Sequence, residues 1–323
     1  MSAIVFVGAG GNEVVRLEER ADPIPGSGDV LVRARFAGRN PADILQREGR
    51  YPAPRGSPAE IPGLEVAGVV EACGDRVTSW RPGDRIFGLV GGGGLADSIL
   101  VHERCVARIP DKLSEQEAAA APEAFITAHD AIRTQAGLVM GETLVVHGAA
   151  GGVGSAAIQI GLATGARVFA VVRSDTTMKT VTSLGAEPVR DSGFARAILD
   201  ATDGRGADVI LELVGAPHFP DNLEALAVCG RIVVVGLGAG QEMTISLLQL
   251  MKKRASVRGT VLRSRPLEEK AAAVRAFERE VVPALSAGRI RPLIDSVYPA
   301  AKITAAFDRL GERGKAGKVL IEF

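Results

Sequence analysis

An α/β fold, with a doubly wound parallel sheet set between two portions of a smaller β unit, is predicted by three features of the 323-residue sequence. After Gly141, Val/Ile-rich runs alternate regularly with helical stretches, the pattern of a parallel sheet covered on both faces. Before Ser114 the chain carries short apolar or alternating runs separated by Gly/Pro turns, as in a small barrel-like β unit. Residues 318–323 form one more apolar run, a final strand expected to return to the β unit.

The elements follow in order. Strands are expected over residues 4–7, 30–36, 66–71 and 85–89, divided by the turn-forming residues 23–29, 52–56 and 81–84. The glycine run 91–94 is too flexible for a strand and reads as a loop. Ser114-Glu-Gln-Glu117 has capping-box spacing and opens a helix. Strands are then expected over 143–147, 167–172, 188–191, 208–214, 231–236 and 256–262. Helices are expected over 153–164, 176–184, 194–202, 219–227 and 247–253. Residues 267–285 carry Val274, Phe277, Val281 and Leu285 at helical spacing. Strand 293–297 and helix 303–310 complete the tail. This divides the chain into a β unit, residues 1–123 and 264–323, and an inserted α/β unit, residues 124–263.

Composition narrows the function. Lys plus Arg equals Asp plus Glu at 38 each, so no cationic excess exists for nucleic acid or an anionic membrane. The least polar long stretch, residues 143–172, is broken by six glycines, His147 and Arg167, so no membrane span is expected. The N-terminus lacks the basic start and apolar core of a signal peptide. Cys73, Cys105 and Cys229 lie far apart, which argues against a disulfide framework and for a reducing cytoplasm.

Residues 144–159, LVVHGAAGGVGSAAIQ, carry the chemistry. A strand ends, a glycine-rich turn follows and a helix begins. Ala149, Gly151 and Gly154 have the spacing of a dinucleotide fingerprint with Ala in the first place. Small or absent side chains at Ala150, Gly151 and Gly152 admit a pyrophosphate to the main chain, and Gly154 lets the helix approach the sheet. Free N–H groups from Gly152 to Gly154, Val153 included, then face the phosphates at the positive end of the helix. The second strand ends in Val172-Arg173-Ser174-Asp175, without the acid an NAD site places there. Arg173 and the Ser174 hydroxyl suit a 2′-phosphate, so NADPH is the expected cofactor. Asp175 is the expected helix N-cap, and Lys179 and Arg190 read as solvated charges able to assist.

With these residues on the page, the sequence resembles the medium-chain dehydrogenase/reductase superfamily, in its zinc-independent, zeta-crystallin-like quinone oxidoreductase branch. The resemblance runs over nearly the whole chain: Asn40-Pro-Ala-Asp43 with Gln46-Arg-Glu-Gly49, Ile61-Pro-Gly-Leu-Glu65, Pro122-Glu-Ala-Phe-Ile-Thr-Ala128, the glycine turn, Leu184-Gly-Ala186 and Gly317-Lys-Val319. It implies a Rossmann unit inserted in a chaperonin-ten-like barrel, with the active site in the cleft between domains. Zinc relatives carry Gly-His-Glu where this chain has Gly63-Leu64-Glu65, and a cysteine near the position of Asn40. Leu64 has no lone pair for a metal, and three scattered cysteines cannot form a four-thiolate site. No metal is expected, and His102, His129, His147 and His218 show no ligand spacing.

The family match implies that Asn40 and Tyr51 face substrate and nicotinamide and that Thr127 sits beside the ring. Gly236 and Leu237 pass near the nicotinamide ribose, and Leu262 and Arg263 close over the cofactor. Each also has a plain structural reading: turn capping for Asn40, ring anchoring for Tyr51, helix packing for Thr127, an exposed cation for Arg263. Asp43 is expected to hold its loop, and Lys318 to be a charge flanking the last strand. The expected function is hydride transfer from NADPH to a quinone without zinc. Reduction of an enone, alkenal or enoyl thioester, or NADPH binding without turnover, are the alternatives. A homodimer is implied, with residues 256–262 as the pairing edge.

Overall fold

The computed structural model describes residues 1–312 and 314–323. Two compact units are present, Met1–Ile126 with Leu262–Phe323, and Thr127–Val261.

The first unit begins with the antiparallel pair β1 (Ser2–Phe6) and β2 (Val15–Glu19). There follow β3 (Asp29–Arg33), β4 (Phe36–Arg39), α1 (Pro41–Arg47), β5 (Glu65–Cys73), β6 (Arg85–Leu89), β7 (Ser98–His102), β8 (Val106–Arg108), α2 (Glu115–Ala120) and the start of α3 (Pro122–His129), whose residues from Thr127 on belong to the second unit. An antiparallel sheet runs in the order β7-β3-β5-β6-β8. Inward-facing Val30, Val32, Val66, Val70, Ile86, Ile99 and Val106 fill its core, as strand alternation requires. The run expected as one strand over 30–36 is two, β3 and β4, interrupted at Ala34 and Arg35. α1 was not expected at all. Asp43, three residues into the helix, accepts the Asn40 N–H at 2.7 Å, and Pro41 occupies N1, where a missing N–H costs nothing.

The second unit holds β9 (Thr143–Val146), α4 (Gly152–Ala163), β10 (Arg167–Val172), α5 (Asp175–Ser183), β11 (Glu187–Arg190), α6 (Phe194–Ala201), β12 (Ala207–Glu212), α7 (Phe219–Ala225), β13 (Leu226–Val234), α8 (Leu247–Lys253) and β14 (Ser256–Gly259). All six strands are parallel, in the order β11-β10-β9-β12-β13-β14. The order reverses between β9 and β12, which makes the carboxyl ends of these two strands the topological switch point where ligands of open α/β sheets bind.

The chain then returns to the first unit. The expected single helix over 267–285 is α9 (Leu267–Glu280) and α10 (Val282–Ser286), because Pro283 cannot continue the ladder of α9. β15 (Ile294–Pro299), α11 (Ile303–Gly311) and β16 (Lys318–Glu322) complete it. β16 lies in the middle of a three-stranded sheet, parallel to β15 and antiparallel to β4.

Candidate functional site

In the second unit the site is built from main chain. The turn after β9 brings Gly151 N–H to the Gly148 carbonyl at 3.0 Å. α4 then starts with Gly151 as N-cap, with no side chain capping it and no acid in its first turn. A helix N-terminus left this way presents open N–H donors and a positive dipole end to an anion. A Cβ on Gly154 would lie 2.4 Å from the Gly148 oxygen and 2.7 Å from the Ala149 Cα. Only glycine allows the helix to sit this close to the turn. Gly151, Gly152 and Val153 are half-exposed, while Ala149 and Ala150 are buried beneath them.

Two neighbouring loops converge on this turn. Gly148 packs against Leu213, just past β12, and Gly236, past β13, lies against the Leu213 carbonyl. Leu237 is exposed, and its Cα lies near Gly215. The expected cofactor residues 150–154, 236 and 237 thus gather at the carboxyl ends of β9, β12 and β13.

The end of β10 differs from expectation in one respect. Ser174, not Asp175, is the N-cap of α5, and its hydroxyl accepts from the Thr177 N–H at 3.3 Å. Asp175 instead pairs with Arg190, which also reaches the Arg173 carbonyl at 3.5 Å. The aspartate that would repel a phosphate is therefore neutralised from the neighbouring strand. Arg173 is exposed, with no ion pair among the described residues.

In the first unit the site is made of buried charges. Asn40 is 6 % exposed and both ends of its amide are taken. Nδ2 donates to Glu65 at 2.9 Å, and Oδ1 accepts from Lys318 Nζ at 2.6 Å. Lys318 also meets Glu65 Oε1 at 2.5 Å, and Glu65 Oε2 accepts the Glu123 N–H at 2.9 Å. Lys318 is thus no flanking surface charge: it is the buried partner of Glu65. Asp43 holds its loop as expected, accepting the N–H groups of Asn40 and Gly63 at 2.7 and 3.2 Å. Burial pushes its carboxyl upward. Tyr51 is half-exposed; burial raises its hydroxyl above the ordinary value, which keeps the proton on as a hydrogen-bond donor.

Arg263, expected either over the cofactor or as an exposed cation, is 6 % exposed, which removes the second reading. It donates to the Gly91 carbonyl at 2.8 Å, the Tyr51 carbonyl at 3.1 Å and the Gln46 side chain, with its guanidinium 5.1 Å from the Tyr51 ring centre. Its place is to fix Tyr51. Leu262 is likewise buried, at 7 % exposure. Thr127 lies in α3, buried, and belongs to the second unit.

Zinc does not fit the first unit. Leu64, which the family resemblance sets against the histidine of the zinc relatives, is buried, an ammonium group already rests on Glu65 and Asn40, and Cys73, Cys105 and Cys229 are all free thiols in differing environments. A dinucleotide does fit the second, where uncapped donors and a glycine-shaped approach coincide.

A feature hidden in the sequence is a histidine pair. His147 and His218 stack with ring centres 4.3 Å apart, beside Glu212. Their separation along the chain concealed this; the signal available was that both lie at the ends of predicted strands or in the loops that follow.

Comparison with known proteins agrees with this geometry. The alcohol dehydrogenase GroES-like domain matches residues 26–111 and the zinc-binding dehydrogenase domain residues 152–279. The quinone oxidoreductase of Lama guanicoe is 34% identical over 327 residues, covering 99% of this chain and 97% of its own. Among solved structures, the quinone oxidoreductase of Pseudomonas syringae pv. Tomato DC3000 aligns with a TM-score of 0.89 at 29% identity, covering 100% and 99% of the two chains. The CurK enoyl reductase aligns at 0.87 and 27%, covering 99% and 98%. Full-length identity at this level, with a glycine turn, a reversed strand order and a lysine-capped Glu65 on one chain, makes this protein a member of the medium-chain dehydrogenase/reductase superfamily, on its quinone oxidoreductase-like side.

Proposed function

We propose that this oxidoreductase uses NADPH, without zinc, to reduce a quinone or a similar electron-poor acceptor. The observation that carries the reading is the pairing of an uncapped helix N-terminus at Gly151 with an exposed Arg173, whose neighbouring acid, Asp175, is already neutralised by Arg190. The first holds a pyrophosphate; the second favours a 2′-phosphate over a bare ribose. The nicotinamide supplies the hydride when bound.

The chain's own groups position and donate. Tyr51, anchored by Arg263, offers a protonated hydroxyl that makes no hydrogen bond among the described residues, suited to an acceptor oxygen gaining charge. Thr127 supports the nicotinamide. Asn40 holds Glu65 and Lys318 in place and keeps a second N–H and a second oxygen lone pair with which to orient substrate or ribose. An ammonium in place of a metal leaves no Lewis acid for an alkoxide, which favours acceptors that need none.

The enoyl reductase likeness supports a second reading, reduction of an α,β-unsaturated carbonyl. Calorimetry with NADPH and NADH, followed by turnover of quinones and enones in parallel with and without chelator, tests all of this. NADPH preference and chelator-insensitive quinone turnover are expected; zinc-dependent activity overturns the reading. We also assign a homodimer, through the sheet-edge strand β14 and the exposed apolar residues Leu247, Leu248, Met251 and Val261; sedimentation measures it. No helix among the described residues is long and apolar enough to cross a membrane, and three free thiols suit a reducing compartment.

A further inference from the structure

His147, Glu212 and His218 bring together three metal-ligating side chains that the proposed reaction does not use, all within the Thr127–Val261 unit. Each arrives on a different segment: His147 just past β9, Glu212 at the end of β12, and His218 immediately before α7. One ligand atom of each lies within 4.8 Å of the other two. Glu212 Oε2 is 3.4 Å from His218 Nδ1 and 3.8 Å from His147 Nε2. Donors held at about 2.0–2.2 Å by one tetrahedral zinc stand about 3.4 Å apart. The rings stack with 27° between their planes, and small rotations of both would close the set on a metal. The side chains of His147 and Glu212 have no exposure, whereas His218 is 14 % and Asp191 36 % exposed, which leaves an entry path on that side.

The outer contacts orient these donors. Glu212 Oε1 accepts the N–H groups of Val214 and Gly215 at 2.7 and 2.9 Å, which fixes the carboxylate with Oε2 toward the rings. Asp191, just past β11, lies 2.8 Å from His218 Nε2. A histidine that gives its Nε2–H to a carboxylate keeps a lone pair on Nδ1, the arrangement common to metal-bound histidines. His218 Nδ1 is buried and has no hydrogen-bond partner among the described residues. It is an unmet polar atom facing a carboxylate oxygen, which is costly in a buried site and which a shared cation resolves. Asn222 Nδ2 donates to Glu212 Oε2 at 2.8 Å, so Asn222 Oδ1 faces His147 Nε2 at 2.7 Å and accepts that nitrogen's proton when no metal is bound. Metal entry releases this proton to solvent and leaves Asn222 Oδ1 as a further oxygen beside the site.

We propose that His147, Glu212 and His218 form a binding site for one divalent transition metal of the zinc class, with Asp191 and Asn222 orienting the ligands. Two imidazoles and one carboxylate are donors that suit zinc, whereas magnesium and calcium take oxygen ligands. The metal ties the ends of β9 and β12 to the segment entering α7 and takes no part in hydride transfer. The site therefore stands independently of the cofactor and acceptor proposed above, and of the zinc position that Leu64 and Lys318 rule out in the first unit.

The test takes the full chain, strips it with chelator, dialyses it against zinc and measures bound metal, with zinc calorimetry and thermal unfolding alongside. Wild type is expected to take up one zinc per chain and to melt at a higher temperature with it, and magnesium in about tenfold excess should not displace the zinc. His147→Gln and His218→Gln should each lose both the uptake and the rise in Tm. Asp191→Asn should keep the stoichiometry and weaken zinc affinity by about tenfold to a hundredfold, as loss of an outer carboxylate does. Wild type that takes up no zinc, or full uptake retained in both histidine variants, overturns the inference and leaves the cluster a set of hydrogen bonds and ion pairs. Should the histidine variants fail to fold, Asp191→Asn decides: unchanged zinc affinity overturns the inference. Turnover of stripped and zinc-loaded wild type separates this site from the reaction. Equal turnover with stoichiometric zinc supports the site and leaves the zinc-free reaction standing; turnover only with zinc overturns both that reading and the purely structural part given to the metal.

Discussion

The candidate sites of the two units are built from opposite materials. In the Thr127–Val261 unit the working groups are main-chain donors left open at Gly151, and what matters is the absence of side chains. In the β unit the working groups are buried charges closed on one another, Lys318 on Glu65 and Asn40, and Arg263 around Tyr51. One half tolerates no added atoms; the other tolerates no unmatched charge. Close approach is set by hard sterics, whereas a buried ion is safe only while its partner stays.

The sharpest way to break that contrast is Lys318→Met. Glu65 would be left buried without a countercharge, at a cost of about 3–5 kcal/mol by urea unfolding. Glu65→Gln on the same background should recover part of it. A loss under about 1 kcal/mol would show that water reaches Glu65 and that the two halves are less different than drawn. Gly154→Ala comes next. Its new methyl meets main chain on the turn that cannot swing aside, so a loss of about 1–3 kcal/mol in thermal unfolding is expected, along with weaker binding of NADPH and NADH alike. Replacing Arg173 and Arg190 together by Ala should lower NADPH affinity by about tenfold by calorimetry and leave NADH unchanged; equal loss of both would remove the 2′-phosphate assignment.

The smallest effect runs the other way. Arg39 is buried with no hydrogen bond to any of its nitrogens among the described residues, lies 3.2 Å over the Phe307 ring and is pushed down to about 10 by burial. Arg39→Met fills similar space without the desolvated charge, so a gain of about 1 kcal/mol is expected. A loss would mean that the ring, with Asp43 nearby, compensates the guanidinium more fully than a neutral side chain can.

What the sequence made legible follows the same contrast. The glycine turn is contiguous, so its strand, cradle and helix could be read from sixteen adjacent residues, and the parallel strands announced themselves by unbroken Val/Ile runs. The charged clusters are assembled from distant positions: Asn40, Glu65 and Lys318 in one case, His147, Asp191, Glu212 and His218 in the other. No local pattern reports such a meeting, so in sequence Lys318 reads as a charge flanking the last strand, and nothing near Arg263 points to its contacts with Gln46, Tyr51 and Gly91. α1 had a signal that went unused, since Asn40-Pro41 with Asp43 is a capping arrangement as well as a turn. β2, β7 and β8 are short strands without strong alternation, and only their ladder partners identify them.

The placement of β16 has a consequence for how the chain is made. It is the central strand of its sheet, lying between β15 and β4, yet it is synthesised after everything it joins. On the ribosome, residues 127–261 can condense as one continuous piece while β4 waits hundreds of residues for its neighbour, its edge bare to other chains. Nascent protein is therefore most exposed to mispairing just before residue 322 emerges, and a chaperone that shields β4 would act in that interval.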